Sequence, residues 1–209
     1  MIRHILVFVL IGFMALSCDK VEKLEDDFAY KVFNPYLVLN PADSVGHISN
    51  STCSKSFSFP ADSSVSLTID IDHDGVDDFS FTYSTSYNLV NPSDSCYNYS
   101  SKITVQGTGI GNNILVKDKN TTQINVYELD SPIVTASLSS HNAIIYFDNA
   151  SGSNSFDLIE GNKYIGFQLA SGKYGWMRVF FEKDDFSFTI MDYAYNNNVH
   201  LGIKAGQKE

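Results

Sequence analysis

The chain has 209 residues, enough for one large domain or two small ones, and its 14 Lys+Arg against 24 Asp+Glu give a formal charge of −10. So acidic a chain excludes a nucleic-acid partner, whose phosphates need a basic face, and argues against lying flat on anionic lipid. Aromatic residues at 13% supply ample core area.

The first twenty residues read MIRHILVFVLIGFMALSCDK. Arg3 and His4 form a short polar start, Ile5 to Leu16 is a run of twelve residues without charge, and small residues and Cys18 follow. The run is too short for a permanent membrane-spanning helix and has the shape of a secretory signal. An ordinary signal peptide with an incidental cysteine, or an N-terminal anchor helix, is the alternative. The stretch ALSC resembles a bacterial lipobox, with Ala15 where leucine is more usual, and Ser17 before the cysteine is similar to lipoproteins of the Bacteroidota. The resemblance implies residues 1–17 as a lipoprotein signal peptide and Cys18 as the lipidated N-terminus, palmitate included. It places the protein on the bacterial outer membrane, at the cell surface, with the lipid as its membrane partner. Losing residues 1–17 removes one cation, Arg3, and no acid, so the mature charge is −11. The charged stretch DKVEKLEDD makes residues 18–27 a tether.

From residue 28 the pattern is strand, turn, strand. FAYKVF and YLVL are split by Asn34-Pro35, and KSFSF follows. In SVSLTIDI, Val65, Leu67, Ile69 and Ile71 share one face, and DFSFTYSTSY continues with Phe79, Phe81 and Tyr83. Then come SSKITVQ, NNILVKD, TQINVYEL, AIIYFD, KYIGFQLA, YGWMRVFFE, DFSFTIMDYAY and VHLGIKA. Period-two alternation with β-branched and aromatic enrichment predicts strands throughout. Short helical turns near Pro41 to Val45 or Ser137 to Asn142 are the exceptions expected. The fold class is all-β: an antiparallel, jelly-roll-like β-sandwich in a single domain over residues 28–205. Outside the cytoplasm Cys53 and Cys96 tend to pair, which restricts the unfolded chain by roughly 4 kcal/mol. Two separate thiols are the alternative.

Residues 69–81, IDIDHDGVDDFSF, pack five aspartates into nine positions. Asp70, Asp72, Asp74, Gly75 and Asp78 fall at positions 1, 3, 5, 6 and 9 of an EF-hand-like spacing, and the Val76 carbonyl is the next ligand expected. Ca²⁺ wants six to eight oxygens, and alternate carboxylates on a tightly curved loop can converge on one point. Position 12 is Phe81 rather than glutamate and strands flank the loop, so it is no EF-hand. A polar hairpin turn is the bland alternative, but a turn needs one or two such residues, and unpaired carboxylates repel. His73 is expected to point to solvent, since imidazole is a poor ligand for a hard ion.

The hairpin IDIDHDGVDDFSF, then YIGF, YGW, DYAYN and AG downstream, resembles a broad set of secreted bacterial proteins of unassigned function, lipoproteins and PEP-CTERM-sorted proteins among them. The resemblance covers about a third of the chain and implies a secreted β-sandwich, but no activity. Gly172 and Gly175 are expected to frame a hairpin turn. Trp176, Tyr193 and Tyr195 read first as core and edge packing and second as a platform for stacking a sugar. Asp192 reads as a turn cap or backbone partner.

No H-E-x-x-H, G-x-S-x-G or C-x-x-C occurs, and GTGIG at 107–111 lacks a following helix to cradle phosphate. The composite expectation is a non-catalytic binding or structural module stabilised by Ca²⁺, with a glycan or protein as ligand. The alternative is a carbohydrate- or cell-wall-active enzyme using a carboxylate pair, for which Glu128, Glu160 and Glu182 come first.

Overall fold

The computed structural model describes residues 27–41, 45–48, 57–60, 63–91, 96–118, 120, 122–134, 137–149, 161–182 and 185–209, with backbone alone at 45–48, 57–60, 87–91, 96–99 and 149. Among them there is no helix. The strands are β1 Phe28–Leu39, β2 Val45–Ile48, β3 Phe57–Pro60, β4 Ser63–Ile69, β5 Phe79–Asn91, β6 Cys96–Gly107, β7 Asn113–Asp118 and β8 Gln123–Ile124. They continue as β9 Val126–Tyr127, β10 Pro132–Ile133, β11 Ser139–Ser140, β12 Asn142–Asn149, β13 Gly161–Gln168, β14 Tyr174–Glu182, β15 Ser187–Asn196 and β16 Ile203–Lys204. The all-β expectation is what the structure shows. The helical turn expected at Ser137 to Asn142 is not there, because Ser139 and Ser140 pair with Leu115 and Ile114.

One large sheet runs in the order β1-β15-β14-β13-β7-β8-β12-β6-β5-β4. Its end strands β1 and β4 approach each other, so the sheet is nearly closed into a flattened barrel. One wall is β1, β15, β14 and β13, the other β12, β6, β5 and β4, and β7 with β8 joins them. Alternation drives this closure: Phe79, Phe81 and Tyr83 of β5 point inward and are fully buried. Rings from the two walls meet across the interior, Phe81 against Phe188 at 6.1 Å, Phe79 against Phe167 at 5.5 Å and Tyr146 against Phe181 at 4.6 Å. The two runs read around Asn34-Pro35 are one strand. Its register with β15 shifts between Val32 and Leu37, where the proline supplies no N–H to the ladder.

The wall β1-β15-β14-β13 is covered on both faces. Met177, Val179 and Phe181 face the interior, while Tyr174 and Trp176 face a second apolar cluster with Leu115, Tyr127, Ile133, Ala194, Ile203 and Ala205. The pair β10–β16 and the chain after it form that outer cover. Trp176 is fully buried, lies opposite the small Ala194, and donates from Nε1 to the Gln207 carbonyl at 2.9 Å. This explains the YGW…DYAYN…AG pattern physically: a tryptophan laid over a sheet face needs a small residue opposite and a chain to roof it. Gly172, at φ +83°, makes the β13–β14 turn. Gly175 does not frame it. It sits within β14, where a Cβ would stand 2.2 Å from the Phe167 ring.

Candidate metal centre at the loop end of the barrel

The aspartate loop joins β4 to β5 and is organised by its own carboxylates. Asp70 accepts from the backbone N–H of His73 at 2.7 Å and of Gly75 at 2.9 Å. Asp74 accepts from Val76 N–H at 2.8 Å, a turn that closes on itself. Gly75 has φ +90° with open space around its Cβ position, so the backbone angle, not a neighbour, calls for glycine there.

Asp78 is the pivot. It is 7% exposed, and its Oδ2 accepts from the N–H of Ile71 at 2.8 Å and more weakly from Asp72 at 3.4 Å. Its Oδ1 accepts from Asn112 Nδ2 at 2.9 Å. Asn112 in turn accepts from Ala170 N–H at 2.6 Å, so one buried amide ties the aspartate loop to the 108–112 and 169–173 turns. Thr108 adds a backbone bond to the Asp78 carbonyl at 2.8 Å and a hydroxyl bond to the Asp77 carbonyl. Burial pushes the Asp78 carboxyl above its ordinary range, the neighbouring Asp72 pushes the same way, and the bonds from Ile71, Asp72 and Asn112 oppose them.

The group that converges is Asp70, Asp72 and Asp78, with one oxygen from each within 4.8 Å of the others. Two oxygens each about 2.4 Å from one ion are at most about 4.8 Å apart, so these three could hold a metal ion. At that separation two carboxylates repel by about 1 kcal/mol in water and about 3.5 at an effective dielectric of 20. Asp72 Oδ1 is buried and has no hydrogen-bond partner among the described residues. A buried carboxylate oxygen without a donor is costly, and a cation removes that cost.

The ligand set read from the sequence therefore needs correction at Asp74, which is exposed, turned to Val76 N–H and outside the convergent group. At Val76 the structure records an engaged N–H and a side chain 62% exposed. His73 is exposed, as expected, and its Nε2 also lies 3.0 Å from Tyr193 Oη. Tyr193 donates its one proton to the Ile71 carbonyl at 2.9 Å, so the imidazole nitrogen is the donor to the phenol oxygen. Burial first, then Tyr195 and the loop carboxylates, push the Tyr193 phenol far up.

Trp176, Tyr193 and Tyr195 are 0%, 1% and 8% exposed. The stacking reading fails on that burial, because a sugar needs an open ring face. Their role is packing. Glu128 pairs with Lys163 at 2.6 Å, Glu182 is exposed at the end of β14, and Glu160 lies outside the described residues. Cys18, Cys53 and the side chain of Cys96 also lie outside them, and with them the lipidation and the disulfide.

A second polar group was not legible in the sequence. Asp192 is fully buried on the outer face of the β14–β15 wall and accepts from Arg178 Nε at 2.9 Å, Arg178 Nη2 at 2.7 Å and Tyr30 Oη at 2.9 Å. Lys208 donates to Tyr30 Oη at 2.7 Å and lies 4.1 Å from its ring centre. Asp192 is thus neither a turn cap nor a backbone partner. Arg178 and Asp192 are register partners across β14 and β15, a relation only the strand pairing reveals.

No family model, no curated protein and no solved structure matches the chain.

Proposed function

We propose that this is a lipid-anchored bacterial outer-membrane protein, at the cell surface or facing the periplasm, whose domain is a non-catalytic binding or structural module stabilised by Ca²⁺. One observation carries the metal reading: Asp72 Oδ1 is buried without a donor, beside oxygens of Asp70 and Asp78. A hard, oxygen-seeking cation suits an all-carboxylate group, whereas softer metals prefer sulfur or imidazole. Three side chains supply fewer than the six to eight oxygens Ca²⁺ takes, so carbonyls, water or a ligand complete the shell. The address rests on the lipobox-like ALSC and the charged tether after it.

Thermal melting of the full chain in EDTA and then in Ca²⁺ tests the reading. Ca²⁺ at a hundred times its Kd stabilises by about 2.7 kcal/mol if it binds only the folded form, which is about 5–10 °C for a domain of this size. Asp72→Asn should abolish the shift and Asp74→Asn should leave most of it. Identical melting in EDTA and Ca²⁺ would discard the metal, and processing insensitive to globomycin would discard the lipid.

A further inference from the structure

The tether and the acidic loop leave the barrel at the same end. Asp27, the last tether residue, accepts from Asn197 N–H at 2.7 Å through its carbonyl and from Asn198 Nδ2 at 2.8 Å through its carboxylate. The 197–202 turn is bonded to the β13–β14 turn, His200 N–H to the Gly172 carbonyl at 3.0 Å. That turn is bonded through Asn112 to Asp78. Within each wall antiparallel pairing keeps these strand ends together, Phe28 opposite Asn196 and Phe79 opposite Gly107, and the bonds of Asn112 and Thr108 join the two walls at this end.

The same end carries exposed apolar tips. Ile110 is 101% exposed, Val76 62%, Leu201 55% and Val199 47%. They stand on turns that are stitched together, so exposing them serves no packing in the barrel. Nine tether residues reach about 30 Å when extended. The twelve residues of β1 run about 40 Å. The loop end is therefore the end held nearest any bilayer that takes up the lipid.

We infer that the loop end docks onto the anchoring bilayer, with Ile110, Val76, Val199 and Leu201 entering the interface and the cation at Asp70, Asp72 and Asp78 bridging to lipid phosphate. The inference rests on the metal and lipid readings proposed above and adds the partner of that same site. Without the ion, five loop aspartates repel an anionic surface. With it, two charges are neutralised and the incomplete shell takes phosphate oxygens. The tether makes the contact intramolecular, so a contact too weak to hold free protein still holds the anchored one.

The test uses the full-length lipoprotein reconstituted into vesicles of phosphatidylethanolamine and phosphatidylglycerol with brominated acyl chains. The natural Trp176 is buried, so Ile110→Trp adds an indole at the tip and Val38→Trp, at a position 53% exposed near the far end of β1, adds a control. The expected result is a blue shift and bromine quenching for Ile110→Trp in Ca²⁺, loss of both in EDTA, and neither for Val38→Trp. Unshifted emission from Ile110→Trp in Ca²⁺, equal quenching in EDTA, or equal quenching of both variants would overturn the docking. Melting of the vesicle-free protein reports the metal separately: a Ca²⁺ shift without quenching removes the docking and leaves the ion in place.

Discussion

Removing Arg178 should cost more than neutralising its partner, although both changes break one ion pair. Asp192 is fully buried and Arg178's side chain is 28% exposed. Arg178→Met keeps most of the stem's packing but strands a carboxylate that water cannot reach. Breaking a buried pair from one side costs about 3–5 kcal/mol. Tyr30 Oη at 2.9 Å and Lys208 Nζ at 4.0 Å still serve Asp192 and offset part of that. A loss of about 2–3 kcal/mol follows. Asp192→Asn keeps the shape and leaves the guanidinium a path to solvent, so about 1–1.5 kcal/mol is expected. Urea unfolding followed by Trp176 emission measures both, because Tyr30 and Tyr164 lie 6.2 and 5.3 Å from the indole. The double variant should cost less than the sum of the two. A cost for Asp192→Asn equal to or above that for Arg178→Met would refute the reasoning, since it would mean that exposure does not decide which partner suffers.

Asn112→Ala should unstitch the loop end, leaving Asp78 Oδ1 and Ala170 N–H without their partner. About 1–3 kcal/mol is expected, with faster amide exchange at Ala170. Gly175→Ala should destabilise far more than Gly75→Ala, because its Cβ meets the Phe167 ring at 2.2 Å and the Ala194 carbonyl at 2.5 Å while Gly75 has open space. Overpacking costs about 1–3 kcal/mol or more against about 1 for the positive φ, and comparable melting points would contradict the packing described. Burial pushes the Tyr83 phenol from 10.0 to about 12. Its contribution is whole below pH 10 and is lost as pH rises through about 12, on the order of 3 kcal/mol. Absorbance titration at 295 nm should therefore show tyrosines that ionise only as the fold is lost, and a single transition near pH 10 with the fold intact would be inconsistent with that burial.

The strands of β4 and β5 were legible because one face of each is buried and the other is not, so burial and sequence alternate together. At β14 and β15 the alternation blurs, because the outer face is roofed by distant chain that brings Tyr127, Ile133, Ile203, Ala205 and the Gln207 carbonyl over it. Trp176 looks the same in sequence whether it lies under that roof or on a bare surface, which is why packing and stacking were both readable from it.

The acidic loop divides the same way. Spacing alone determined that five aspartates lie on one tight bend with a glycine at its turn, since nine residues of chain leave little freedom. Which of them converge was decided by tertiary contacts: Asn112, reached only when β7 folds beside the loop, holds Asp78 inward, while Asp74 satisfies itself against Val76 N–H. The unpartnered buried oxygen of Asp72, and the meeting of the aspartate loop with the start of β1 at one end of the barrel, are likewise products of the tertiary fold. Local geometry is written in local sequence; the direction a carboxylate finally faces depends on donors far away in the chain, and no spacing rule contains them.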